Sequence, residues 1–293
     1  MEKYVITGSL GNISKPIAEG LIRNGKQVSI ITSDLGKVGT IEKLGAKAIV
    51  GSVQDPYFVN QAFKNADVVY TMIPPIWKTD NLKLSQLEVA NNYINAIKSN
   101  GIKYVVNLSS VGAHLPDGNG PVNALHDFEN LLNEVSGLHV KHLRPGYFYC
   151  NFLNQINMIK NAGIMGGNFG DGEIYLADTF DIADAAIDEL LNLTFRDNSV
   201  RYIVSDTKKG NEIAEVLGKE INRKFPWILF SDEDQKNGLI QAGLPITHAE
   251  NYTELGHSIR VGKIAEDLIL HLPQYSRTKF EDFATDFAQA YKK

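Results

Sequence analysis

The sequence predicts an α/β fold with a doubly wound parallel sheet and a smaller α+β C-terminal lobe. Strand-like and helix-like segments alternate through the first half of the chain, which is the pattern of right-handed βαβ units. The strand-like segments are almost entirely apolar, as expected where helices cover both faces of a parallel sheet. A glycine-containing turn, Gly8-Ser9-Leu10-Gly11, separates the first strand from the first helix.

The elements of the first half follow from apolar periodicity and from the glycines and prolines at their ends. The predicted strands are residues 4–7, 27–32, 47–50, 67–73 and 103–108. The predicted helices are residues 16–24, 38–44, 59–64 and 82–99. Together they indicate a sheet-based domain over residues 1–150.

The second half is less regular. Helices are predicted over residues 126–135, 181–192, 211–222 and 280–291, with shorter helical pieces at 239–242 and 259–270, and strands at 139–143 and 200–204. Phe280, Phe283, Phe287 and Tyr291 share one face of the last helix, which indicates core packing. We expect residues 151–293 to form the smaller substrate lobe, interleaved with the domain of residues 1–150.

Composition excludes several function classes. The formal net charge is −5 and no basic run is present, so nucleic acid is not an expected partner. No signal peptide and no membrane-spanning apolar run is evident, and Cys150 is the one cysteine, which favours a cytoplasmic protein. We expect Cys150 to be an apolar filler rather than a catalytic thiol. The histidines lack metal-ligand spacing, so no metal site is predicted.

The turn after the first strand has the pattern of a dinucleotide-binding loop. Gly8 allows a tight turn off the strand, and Gly11 allows the backbone to approach a pyrophosphate. The helix start that follows Asn12 and Ile13 offers N–H groups to the phosphates. Ser14 replaces the third glycine of the pattern and is small enough for close packing. The sequence therefore predicts a Rossmann-type domain with a bound NAD(P), contacted also by Leu10.

The end of the second strand bears on the choice between NAD and NADP. A carboxylate there holds the ribose hydroxyls of NAD, whereas basic or hydroxyl groups hold the 2′-phosphate of NADP. Ser33 and Lys37 are suited to a 2′-phosphate, while Asp34 either repels it or points away. NADP(H) is slightly favoured over NAD(H).

Several further motifs resemble the NmrA-like branch of the atypical short-chain dehydrogenases/reductases. In chain order they are Thr7-Gly8-x-x-Gly11, Ile73-Pro74-Pro75, Leu108-Ser109-Ser110-Val111-Gly112-Ala113, His126-x-x-Glu129-x-x-Leu132, Leu143-Arg144-Pro145-Gly146-Tyr147-Phe148, Asp181-Ile182-Ala183 and Arg277-Thr278-x-Phe280-x-x-Phe283. The resemblance covers nearly the whole chain. It implies that Ile73, Pro74 and Ser109 line the cofactor groove and that Tyr147 and Phe148 flank the nicotinamide.

The chain departs from the wider superfamily at the usual catalytic pair. The helix that typically carries Tyr-x-x-x-Lys reads Asn123-Ala124-Leu125-His126-Asp127-Phe128-Glu129 here, without tyrosine or lysine. His126 is the candidate substitute acid, because histidine titrates near neutrality, although a structural hydrogen bond is an equally simple role. Glu129 either orients His126 or bonds a backbone amide. Trp77, with Tyr147 and Phe148, is a candidate to contact a flat substrate.

Two functions remain open at this point. The first is an NAD(P)H-dependent oxidoreductase that reduces a quinone-like or other electron-poor small-molecule acceptor by direct hydride transfer. The second is a non-catalytic NAD(P)-binding redox sensor that acts through a protein partner. The NmrA-like family that the chain resembles includes quinone reductases, azo-dye reductases and redox-sensing regulators. The missing Tyr-x-x-x-Lys pair favours the sensor, and the aromatic residues favour the enzyme.

Overall fold

The computed structural model describes residues 2–293 of the chain. Its strands are β1 Lys3–Ile6, β2 Gln27–Thr32, β3 Lys47–Val50, β4 Val68–Thr71, β5 Tyr104–Leu108, β6 His139–Pro145, β7 Tyr147–Phe148, β8 Met165–Gly167, β9 Ile174–Ala177, β10 Asn198–Ile203, β11 Asp206–Lys208 and β12 Trp227–Leu229. Its α-helices are α1 Ser14–Arg23, α2 Val38–Lys43, α3 Pro56–Ala62, α4 Leu82–Asn100, α5 Asn123–Asn133, α6 Ile156–Ala162, α7 Thr179–Asn192, α8 Gly210–Glu220, α9 Asp232–Gln241, α10 Ile246–Arg260, α11 Glu266–Leu270 and α12 Phe280–Tyr291.

Seven strands form the central sheet, in the order β10-β6-β5-β4-β1-β2-β3. The pairings of β1 with β2 and with β4 are parallel, as are those of β5 with β4 and with β6. The chain winds outward from β1 to β3 and then crosses back to β4, so β1 and β4 mark the topological switch point. The predicted doubly wound parallel sheet is confirmed.

The chain divides into two compact units, and each draws on separate segments. The first unit contains the chain up to Ser109, then Ala124–Arg144 and Ile182–Arg201. The second contains Ser110–Asn123, Pro145–Asp181 and Tyr202–Lys293.

One apolar core cluster of the first unit lies between α3, α4 and the sheet. Asn81 caps the start of α4 by accepting a hydrogen bond from the Leu84 amide, and Gly101 ends the helix in a left-handed conformation. The buried face of α4 presents Tyr93, whose ring stacks on Phe63 with centroids 5.9 Å apart. Burial of this apolar face fixes α4 against the strands that carry the candidate site.

The second unit contains the smaller strands and the aromatic C-terminal helix. β11, β9 and β7 form one sheet, and β12 pairs with β8 in another. Phe280, Phe283 and Phe287 of α12 are buried, as their helical spacing predicts, and Tyr291 packs at the edge of the same cluster. Tyr149 contacts this face edge-on, with its ring centroid 5.2 Å from that of Phe280.

The structure corrects the predicted elements of the second half. Residues 259–270 are not one helix: α10 ends at Arg260, Gly262 adopts φ of 76°, and α11 begins at Glu266. The piece predicted at 239–242 is the end of the longer α9. The strands β7, β8, β9, β11 and β12 have only two to four residues each, which is too short to show an apolar period.

Candidate functional site

The glycine loop follows β1 at the switch point of the sheet. Gly8 has φ of 89°, and a Cβ built there would lie 2.4 Å from Ser14 Oγ. Glycine is therefore required at this position for both its conformation and its space. The Gly11 amide donates to the Gly8 carbonyl at 3.2 Å, and the Lys15 amide donates to the Gly11 carbonyl at 3.0 Å. These bonds close the turn and begin the hydrogen-bond ladder of α1.

The residues between the turn and the helix differ in exposure. Gly11 and Asn12 are exposed, Leu10 is half-buried, and Ile13 is buried. Ile13 precedes α1 and gives no side-chain cap. The amides of Asn12, Ile13 and Ser14 precede the helical ladder, so this helix end is left for an external acceptor such as a phosphate.

A hydroxyl pair connects the glycine loop to the end of β2. Ser9 Oγ donates to Thr32 Oγ1 at 2.9 Å. The Asp34 amide donates to the same Thr32 oxygen at 3.2 Å, and Asp34 Oδ1 accepts from the Gly36 amide at 2.8 Å. Asp34 therefore caps the 3₁₀ turn Leu35–Lys37 with its own carboxylate. The sequence predicted Ser33 and Lys37 as cofactor-binding residues in this region. It did not predict Ser9 and Thr32, although both hydroxyls lie where parallel strands end.

Ser33 precedes this turn, and Lys37 is its last residue. Ser33 is exposed and Lys37 is half-buried. Both follow β2 at the same sheet edge as the glycine loop, because β1 and β2 are parallel and in register from Lys3 and Gln27.

The ends of β4 and β5 carry the other groove residues of the first unit. Ile73 and Pro74, which follow β4, are half-buried, and Ile73 packs against the apolar core. Trp77 is 55% exposed in the irregular segment that follows. Ser109 follows β5 and is buried; among residues 2–293 its Oγ has no hydrogen-bond partner. A buried hydroxyl without a partner is costly unless something else bonds it.

Tyr147 and Phe148 form β7 in the second unit. Both are half-buried, and the Tyr147 ring lies 5.4 Å from the rings of Phe152 and Phe169. Burial raises the pKa of the Tyr147 phenol, so the group stays protonated at neutral pH. Cys150, a few residues further on, is half-buried against the apolar cluster of this unit.

His126 and Glu129 both lie on α5. One of the two roles predicted for Glu129 was to orient the His126 imidazole, and the structure does not show that contact. The Glu129 carboxylate binds Arg144 instead, with Arg144 Nε 3.0 Å from Oε1 and Nη2 2.6 Å from Oε2. His126 Nε2 lies 2.9 Å from the side-chain amide nitrogen of Asn130. Because an amide nitrogen only donates, this contact suits a neutral ring with its proton on Nδ1.

A chain of buried polar groups joins β4, β5, β6 and α5. Thr71 Oγ1 donates to Asn107 Oδ1 at 3.0 Å, and the Asn107 amide nitrogen lies 3.2 Å from His142 Nδ1. His142 Nε2 lies 2.9 Å from Asn133 Oδ1. Burial lowers the pKa of His142 to about 4, so the ring is neutral and donates through Nε2. This chain ties the helix that carries His126 to the sheet.

No helix within residues 2–293 combines the length and apolar character needed to cross a membrane. In the same residues no three His, Cys, Asp or Glu side chains are grouped as metal ligands.

The chain is similar to a described protein family and to several known reductases. A family model described as NAD(P)H-binding matches residues 8–192. An NAD(P)H azoreductase of Xenophilus azovorans is 22% identical over 251 residues, which cover 86% of this chain and 85% of that protein. The NADPH-dependent quinone oxidoreductase of Escherichia coli, solved with NADPH, is 20% identical with a TM-score of 0.80, covering 97% of this chain and 99% of its own. The Citrobacter sp. triphenylmethane reductase, solved with NADP(H), is 19% identical with a TM-score of 0.80 and the same coverage, 97% and 99%.

Proposed function

Because the chain belongs to the NAD(P)H-binding family, as its resemblance to the NmrA-like proteins predicted, we propose that it is an NADP(H)-dependent reductase of quinone-like acceptors. The glycine loop is the observation that carries this proposal. It combines the left-handed Gly8, the exposed Gly11 and the start of α1 at the switch point of the sheet.

The residues of the first unit fit a dinucleotide. The amides of Asn12, Ile13 and Ser14 offer donors to a pyrophosphate, and the Ser109 hydroxyl is buried without a partner among residues 2–293. A group that hydrogen-bonds Ser109 would remove the cost of that orphaned hydroxyl. We assign this role to the cofactor, with Ile73 and Pro74 as the apolar wall of its groove.

The preference for NADP(H) rests on Asp34. Its carboxylate is engaged by the Gly36 amide at 2.8 Å, within its own turn. One of the two carboxylate oxygens that would accept from the ribose hydroxyls of NAD is thereby engaged. Ser33 and Lys37 supply a hydroxyl and an ammonium group, which suit a 2′-phosphate.

In the proposed reaction the protein mainly positions the acceptor next to the cofactor. The bound cofactor supplies a hydride, and an electron-poor ring accepts it without a strong acid beside it. Trp77, which is 55% exposed in the first unit, is proposed to orient the flat acceptor through its ring. For Tyr147 and Phe148, a role beside the nicotinamide stays a prediction of the family resemblance. The proton that completes the reduction is proposed to come from the imidazolium form of His126, which returns to the neutral ring that the Asn130 contact suits.

The test is cofactor binding and cofactor oxidation with a panel of quinones, for the wild type and for Gly11→Trp. The indole should fill the pyrophosphate path and weaken NADPH binding by at least roughly tenfold, with loss of turnover. Gly172→Trp is the matched control, because Gly172 is exposed and a Cβ there meets nothing within 4 Å. Equal NADPH binding by wild type and Gly11→Trp contradicts the proposed site.

The same experiment separates the enzyme from the sensor. The absence of tyrosine and lysine at the positions of the usual pair on α5 favours a protein that binds dinucleotide without turnover. Tight NADPH binding with no oxidation by any quinone in the panel would overturn the reductase. That outcome would favour the redox sensor with a protein partner.

A further inference from the structure

We propose that the buried hydroxyl of Thr32, together with Ser9, sets the preference of this site for an adenosine 2′-phosphate over a ribose 2′-hydroxyl. The inference rests on the proposed cofactor-binding function and deepens it. Thr32 is assigned as a positioning residue, because its side chain acts through Ser9 and Asp34 rather than by touching the ligand.

One oxygen atom joins two loops that serve different parts of a dinucleotide. Thr32 is only 2% exposed, and its Oγ1 accepts from Ser9 Oγ at 2.9 Å and from the Asp34 amide at 3.2 Å. Ser9 belongs to the glycine loop after β1, and Asp34 to the turn after β2. The conformation of the phosphate loop and that of the ribose turn are therefore tied to the same buried group.

The backbone of Ser9 is strained, and its hydrogen bond to Thr32 stabilises that conformation. Its φ is 56°, in the left-handed region that a residue with a Cβ rarely adopts. Such a conformation is strained and persists only where the surroundings fix it. The hydrogen bond from Ser9 to Thr32 is a contact that fixes it.

Asp34 is held at both ends by this arrangement. Its amide is bonded to Thr32, and its carboxylate Oδ1 to the Gly36 amide at 2.8 Å. A ribose 2′-hydroxyl needs an acceptor at the end of the second strand, and one oxygen of the Asp34 carboxylate is held within its own turn. A 2′-phosphate accepts hydrogen bonds, and the donors left in this segment are the Ser33 hydroxyl and the Lys37 ammonium.

Loss of the Thr32 hydroxyl should release this hold. Thr32→Val keeps the shape of the side chain but cannot accept from Asp34 or Ser9. The Asp34 turn then loses its backbone anchor, so both carboxylate oxygens can face the ribose, where they bind its hydroxyls and repel a 2′-phosphate more strongly than in the wild type. The affinity ratio of adenosine 2′,5′-bisphosphate to 5′-AMP should fall by about fivefold to tenfold, as expected for one net hydrogen bond.

The experiment is calorimetric titration of each variant with these two nucleotides. Neither carries a nicotinamide, so the readout does not depend on hydride transfer. Thr32→Ser restores a hydroxyl and should restore the ratio. Thr40→Val makes the same substitution at an exposed residue of α2 and should leave the ratio unchanged. Ser9→Ala, outside the strand, should lower the ratio in the same direction even where Thr32→Val folds poorly.

The outcomes separate this inference from the proposed function. A wild type that binds neither nucleotide overturns both. A wild type that prefers the bisphosphate, with the same ratio in Thr32→Val and Ser9→Ala, overturns the positioning role alone. A drop of both affinities by an equal factor also overturns it, because a purely structural defect does not change the ratio.

Discussion

Arg144 on β6 and Glu129 on α5 form a buried ion pair with two hydrogen bonds, of 3.0 Å and 2.6 Å. Arg144 is 8% exposed and Glu129 is 3% exposed. Each charge is therefore withdrawn from water and compensated chiefly by the other. The pair anchors the helix that carries His126 to the sheet.

Glu129→Gln should destabilise the protein by about 3 kcal/mol, because it leaves the Arg144 charge buried without its carboxylate. The measurement is the free energy of unfolding from urea denaturation. Asp127→Asn is the control on the same helix: Asp127 pairs with Lys83 at 2.8 Å, but their side chains are 32% and 44% exposed. That change should cost less than about 1 kcal/mol. Equal costs for the two variants would contradict the role of burial.

The neutral state of His142 predicts a loss of stability in mild acid. Burial lowers its pKa to about 4 from 6.5, so between these values the unfolded chain binds a proton that the folded chain does not. Stability is therefore full above the unfolded pKa and falls as the pH decreases from 6.5 towards 4. The shift corresponds to about 3 kcal/mol.

Urea denaturation across this pH range checks the prediction. His142→Gln keeps an acceptor towards Asn107 and a donor towards Asn133 but does not titrate, so its stability should depend less on pH. His139→Gln, on the same strand, removes a half-buried imidazole and should keep the steep dependence. An unchanged slope in His142→Gln would show that another group titrates in this window.

The sheet of the first unit was predictable because its signals are local. Apolar strands, helical periods and the glycines that follow them fix β1 to β5 and their helices with little help from distant contacts. The strands of the second unit are too short to show an alternating apolar pattern. They form because they pair with strands that are distant in the sequence. For example, Asp206 pairs with Leu176, from which it is separated by 30 positions along the chain.

The candidate site divides in the same way. The sequence predicts Gly8 and Gly11 because a turn and a close approach require particular residue types. It did not predict that Asp34 caps its own turn, or that Glu129 binds Arg144, because either carboxylate has several partners within reach of its backbone. Which partner it takes depends on burial and on strand register, and neither is visible in a local pattern.

Gly8 gives a test of the loop that separates conformation from space. Gly8→Ala meets a φ of 89° and a Cβ contact of 2.4 Å with Ser14 Oγ, whereas Gly25→Ala meets a φ of 72° and nothing within 4 Å. We expect Gly25→Ala to cost about 1–2 kcal/mol of unfolding free energy, and Gly8→Ala roughly 1–3 kcal/mol more. Only Gly8→Ala should weaken NADPH binding.

The double variant Gly8→Ala/Ser14→Gly identifies the source of that additional cost. Removing the Ser14 side chain removes the 2.4 Å contact, so most of the contact part of the cost should disappear. The weaker contact with the Met72 side chain at 3.1 Å and the conformational part of the cost should remain. Equal stability of the single and double variants would mean that the serine at the third-glycine position is not the residue that requires Gly8.

Asp34→Asn tests the electrostatics of the ribose turn without disturbing its shape. The asparagine Oδ1 can still accept from the Gly36 amide, so the turn is retained while the negative charge is lost. Affinity for adenosine 2′,5′-bisphosphate should rise by about twofold to fivefold, and the gain should shrink at high salt because exposed charges are screened. Affinity for 5′-AMP should change less. Asp67→Asn, just before β4 at the opposite edge of the sheet, should leave both affinities unchanged. Weaker binding of the bisphosphate by Asp34→Asn would mean that the carboxylate assists the ligand, and the assignment of NADP(H) over NAD(H) would then fail.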